Sequence, residues 1–163
     1  MLPPLVHTAL QYFWLLMLLF VLGLAAFWRL AARPRIAADP TLRQPLNRLY
    51  GGFAFWLSLP FLLMGAGILA GAVDHVLQYL RFDAGNAFVV AFQIFGIALD
   101  ALFLYWVFLR GGDCLLALHT ELVNDRPKFR IAMRALAVVL PPLHIATIAY
   151  ATVSPHFGQA LGA

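Results

Sequence analysis

The sequence predicts an all-α integral membrane protein built as an antiparallel four-helix bundle, and three observations carry that expectation. Of the 163 residues, 63% are hydrophobic and only 11% charged, with a mean hydropathy of +0.86. A soluble domain gives about a quarter of its residues to Asp, Glu, Lys and Arg, so this chain has too little polar surface to cover a globule in water. The apolar residues also fall into runs near the ~20 residues a helix needs to cross the hydrocarbon core of a bilayer. Finally, the runs lack the alternation of an outer-membrane strand, which excludes a barrel.

The first run, Thr8 to Trp28, has no charged residue. It is too long for the apolar core of a signal peptide and nothing basic precedes it, so it is read as a retained span. The stretch from Ala31 to Asn47 holds Pro34, Pro40 and Pro45 and is expected to be a loop, because proline interrupts helix hydrogen bonding. The second span, Leu49 to Val73, is again free of charge and contains Gly67 and Gly71 four residues apart, a spacing that lets two helix backbones approach closely. After the short connection "DHVLQYLRFD", the third span, Ala84 to Leu109, carries one acidic residue, Asp100.

Between the third and fourth spans, Leu115, Leu118 and Leu122 share a helical face. Asp113 to Val123 is therefore expected to extend the third helix or to lie along the membrane surface. Asn124 or Asp125 would cap the last helix, with Pro127 in its first turn. The fourth span runs from Ala135 to Val153. The whole of 1–163 reads as one domain. The similarity of "LPPLVHTALQY" to "LPPLHIATIAY" is coincidence in a small apolar alphabet, because the two copies would cross the membrane in opposite senses.

Basic residues orient the bundle. Arg29, Arg33, Arg35, Arg43 and Arg48 follow the first span, and Arg110, Arg126, Lys128, Arg130 and Arg134 lie between the third and fourth. Of the eleven, only Arg81 falls in the other loop. Short loops rich in Lys and Arg stay cytoplasmic, so both termini are expected outside, in a bacterial inner membrane. The net charge of +4 follows from this topology. It suits contact with anionic lipid headgroups, and no soluble module is present that would bind nucleic acid.

Asp100 is the residue that most needs a partner. An ionised Asp at a helix centre costs at least about 2.5–3.5 kcal/mol. Asp100 lies nine residues from Leu109, and His144 nine from Ala135, which sets each roughly 13 Å above the inner boundary. Gln93, Gly96 and Asp100 share one face of the third helix, and Pro141, His144 and Thr147 one face of the fourth. The expectation is an intramembrane Asp100–His144 pair, supported by a polar stripe of Gln93 and Thr147, with Gly96, Gly67 and Gly71 as packing glycines. Pro141 and Pro142 free two carbonyls that a buried imidazole or water could serve.

His7, His75 and His156 fall near three helix ends on one side and are the candidate metal ligands, of types that suit zinc or copper. No two show the one-turn spacing of a helical metal motif. His144 lacks a histidine at matched depth for a haem. Cys114 and His119 are five residues apart, which splays them around a helix, so with Glu121 they do not form a catalytic group. The single Cys114 allows no internal disulfide.

The functional expectation is a non-catalytic accessory or helix-packing subunit of a larger membrane assembly, or a homo-oligomer, with no cofactor. The alternative is a small proton-coupled transporter or channel using Asp100 and His144. A membrane enzyme or haem protein with an outer-side site comes third.

Overall fold

The computed structural model describes residues 3–121 and 128–154. They form five α-helices, α1 (Pro4–Ala38), α2 (Arg43–Leu69), α3 (Ala87–Leu109), α4 (Gly112–His119) and α5 (Lys128–Val153), with no strand among the described residues. α1, α2, α3 and α5 are each long and apolar enough to cross a membrane.

α1 begins with Pro4 in its first turn, where a missing N–H costs nothing, and it does not stop at its arginines. It continues through Arg29, Arg33 and Pro34 to Ala38, so most of the expected 31–47 loop is helix. Charge marks where hydrocarbon ends, and a helix entering water has no reason to unwind there. The carbonyl that Pro34 leaves unpaired lies at the polar end of α1, within reach of water. Asp39 then ends the helix and accepts from Thr41 N at 3.0 Å and Thr41 Oγ1 at 2.6 Å, capping the 3-10 turn Pro40–Leu42. Pro45 is the third residue of α2, where its N–H would have no acceptor. Two of the three prolines thus start helices.

α2 ends at Leu69, short of the expected Val73. Gly71 has φ +66°, Gly71 N donates to Ile68 O at 3.0 Å and Ala72 N to Gly67 O at 2.9 Å, the pair of bonds that makes a Schellman stop. After a 3-10 turn at Val76–Leu80, Asn86 caps α3 by accepting from Phe88 N and Val89 N, and its amide donates to Ala72 O at 2.6 Å. Gly111, at φ +75°, turns the chain sharply into α4. The Asn124, Asp125 and Pro127 expectations lie outside the described residues.

Side-chain contacts set the neighbours. Along α1 and α2, Trp14 lies against Gly65, Trp28 against Phe53 and Tyr50, and Ala32 against Leu46, so the end of one helix meets the beginning of the other. α2 packs on α3 and α3 on α5, with Val107 and Ala137 buried beside Leu116 of α4. α1 and α5 make no close backbone approach among the described residues, while the Trp28 and Phe129 rings meet between them, centroids 6.3 Å apart. The four spans therefore form a row whose two outer members touch at the basic end. Large apolar side chains such as Leu16, Phe20, Ile94, Leu143 and Tyr150 point outward, which suits lipid and not water.

Candidate functional site

Asp100 and His144 face each other from α3 and α5, with Nδ1 of the imidazole 2.8 Å from Oδ2 of the carboxylate. The approach is possible because Gly96 lies one turn before Asp100, and a Cβ there would collide with Cε1 of the His144 ring. The pair is not sealed: the side chains keep 22% (His144) and 14% (Asp100) of their exposure. With Asp100 ionised, Nδ1–H of an imidazolium that also carries a proton on Nε2 donates to the carboxylate. The opposite arrangement, a protonated carboxyl donating to Nδ1, differs by the position of one proton along the same bond.

The expected stripe divides. Gln93 is buried, but its amide donates to Tyr79 O at 3.0 Å. It sits two turns from Asp100, roughly 10 Å along the axis, so sharing a face does not bring the two together. Thr147 donates to Leu143 O of its own helix at 2.8 Å. Neither touches the pair. Pro141 and Pro142 leave the Ala137 and Val138 carbonyls without amide donors, and among the described residues no side chain donates to them; His144 is turned to Asp100 instead.

The packing glycines also separate. Gly67 lies against Tyr79 Oη and Phe88, and Gly96 against His144. Gly71 has open space around its α-carbon and serves as the left-handed stop of α2, which corrects its reading as a packing residue. The glycine that meets α1 is Gly65, two residues before Gly67, where a Cβ would come within 2.6 Å of the Trp14 ring.

At the end away from the basic loops, His7 and His75 are neighbours, ring centroids 5.7 Å apart and planes at 88°. His75 is buried, and among the described residues Nδ1 has no partner. Burial, followed by the nearby His7, pushes its imidazole below the ordinary value, with Asp74 opposing. His156 lies outside the described residues. No group of three or more His, Cys, Asp or Glu that could hold a metal gathers among the described residues.

The basic end holds a cluster that sequence reasoning missed. His119, 1% exposed, ends α4 with Nδ1 3.1 Å from Tyr50 Oη and Nε2 unpartnered, inside a cage of Trp28, Tyr50 and Phe129 rings. Burial holds its imidazole below the ordinary value. Tyr50 and His119 are sixty-nine residues apart, on elements whose crossing no periodicity reveals. Their one sequence-level signal is that Trp28, Tyr50 and His119 all fall near the basic ends of their segments. Cys114 and Glu121 are exposed and do not join the cluster. Asp113, in the first turn of α4, accepts from Arg130 Nε at 2.8 Å and from its Nη2, with Arg134 Nε at 3.8 Å. The hydrogen bonds from Arg130 hold that carboxyl below the usual range. An open cleft at the start of α2 is lined by Pro40, Arg43, Gln44, Asn47 and Arg48.

Comparison with protein-family models, curated proteins and solved structures finds no match.

Proposed function

We propose that this is a proton-exchanging integral membrane protein in which Asp100 and His144 form the titrating couple. The observation that supports the reading is the 2.8 Å hydrogen bond joining them across two apolar, span-length helices. A carboxylate alone at that depth would take up a proton to shed its charge. Beside an imidazole it has a second resting place for the proton one hydrogen bond away. The couple is neutral with one proton, anionic with none and cationic with two.

In this reading the spans alternate in direction within a bacterial inner membrane, both termini lie outside, and the arginine-rich end faces the cytoplasm. There the cleft between Arg43 and Arg48 meets anionic headgroups. A second reading, an accessory subunit or homo-oligomer in which the pair is only an interhelical clamp, is favoured by the outward apolar face of α5, where Leu143, Ile145, Tyr150 and Val153 are all exposed.

The two are separated by flux. Protein reconstituted in liposomes with an entrapped pH dye, under a potassium-diffusion potential, should move protons. Asp100→Asn keeps a hydrogen-bonding group but cannot exchange a proton, so it should stay folded and lose the flux. Flux absent from the wild type, or unchanged in Asp100→Asn, would sink the proton reading. A stoichiometric partner chain on gentle detergent extraction would then support the subunit reading.

A further inference from the structure

The end of the spans that carries His7 and His75 has chemistry the proton couple does not use. His7 lies in the opening turns of α1, and His75 lies just before the 3-10 turn Val76–Leu80. A histidine at the end of a membrane helix is ordinarily a solvated interfacial side chain, and the partly exposed His7 fits that role. His75 does not. It is 2% exposed, with Nδ1 buried and without a partner among the described residues. A buried polar group left in that state destabilises by about 1–3 kcal/mol, and a phenylalanine would fill the same space without that penalty. An imidazole kept there, edge to face with a second imidazole, points to a ligand for nitrogen lone pairs.

We propose that His7 and His75 form a two-imidazole site for a divalent transition cation of the zinc or copper class, with water completing its coordination. Imidazole is a preferred ligand of both ions. Metal–nitrogen bonds of about 2.0–2.1 Å place two ring centres sharing one tetrahedral ion about 5 Å apart. The rings stand at 5.7 Å, so a small rotation of the partly exposed His7 side chain brings them into range.

The site is an open one. The Asp74 carboxylate is occupied by Gln78, whose Nε2 lies 3.3 Å from Oδ2, and no third ligand type joins the two histidines among the described residues. Structural metal sites close with four protein ligands. Two ligands leave the other coordination positions to water.

The test uses full-length protein carrying a histidine-free tag, purified in detergent, stripped with EDTA, and titrated with Cu²⁺ under electron paramagnetic resonance. One copper per chain should bind with the hyperfine pattern of two imidazole nitrogens, and Zn²⁺ should displace it. His7→Ala should keep its melting temperature and bind more than about tenfold more weakly, since even the loss of an outer-shell partner costs 10- to 100-fold. His75→Gln, which keeps a polar group at the buried position, should lose the site likewise. A one-nitrogen signal, unchanged affinity in His7→Ala, or wild-type binding no tighter than that of the double variant overturns the proposal. The proton couple lies on other helices, so failure here leaves the flux experiment unaffected.

Discussion

At the scale of single residues, the buried imidazoles decide how stability responds to pH. His119 and His75 both have folded-state basicity below the ordinary 6.5, chiefly because burial penalises the cation. As pH falls through 6.5, the unfolded chain takes up protons that the folded chain does not yet bind. The stabilisation is therefore whole above that value and is lost as pH descends toward the folded values. Thermal melts in detergent should show the melting temperature falling between about pH 7 and pH 5, a window above the carboxylate range. The share belonging to His119 can be isolated. Replacing both members of a buried hydrogen bond by apolar groups is close to neutral, while replacing one strands the other. Tyr50→Phe/His119→Phe should thus keep its stability at pH 7.5, suit the aromatic cage of Trp28 and Phe129, and show a shallower decline on acidification. Tyr50→Phe alone should be less stable than the double variant. An unchanged slope in the double variant would remove His119 from the account.

At the scale of elements, three glycines test three different physical demands. Gly71 meets nothing but holds φ +66°, so Gly71→Ala costs the left-handed backbone penalty, about 1–2 kcal/mol. Asn, which tolerates that region, should recover much of it. Gly67 has an ordinary helical backbone but abuts Tyr79 and Phe88, and Gly96 abuts His144. Ala at either should cost about 1–3 kcal/mol by overpacking, and Asn should be worse than Ala. Detergent melts that rank Ala and Asn alike at Gly67 and at Gly71 would refute the distinction. The same glycines mark what a sequence can and cannot disclose. Span existence is legible because lipid imposes length and apolarity. Span ends are not, because Asp39, Asn86 and Gly71 set them through hydrogen bonds and backbone sign, while charge records only where hydrocarbon stops. The meeting of Asp100 with His144 follows from depth, which helix rise converts directly from residue number. The pairing of His119 with Tyr50, and of His7 with His75, depends on how short segments fold back across the ends of the row, and no count along the chain contains that.

For the whole molecule, the question is which end of the row faces the cytoplasm. Ten of the eleven basic residues fall in sequence between the first and second spans or between the third and fourth, and at that end of the row Trp28, His119 and Phe129 bring α1, α4 and α5 together. Moving that end across a membrane would carry ten cations through hydrocarbon, and moving the other would carry only Arg81. Cys114, exposed on α4 at the basic end, is the chain's one thiol and so a clean reporter. In intact spheroplasts a membrane-impermeant maleimide should leave Cys114 unlabelled and should label it after lysis. Protease-sensitive tags at Met1 and Ala163 should both be cleaved from outside. Labelling of Cys114 in intact cells, with both tags protected, would reverse the assignment and place the histidine pair in the cytoplasm. Its ligand would then be drawn from a compartment that holds free zinc and copper scarce. With the predicted orientation, the partly exposed His7 lies at the outer end of the row, with the buried His75 beside it. The proposed Asp100–His144 couple lies well inside α3 and α5, so a membrane-crossing exchange through it requires a water path from each side.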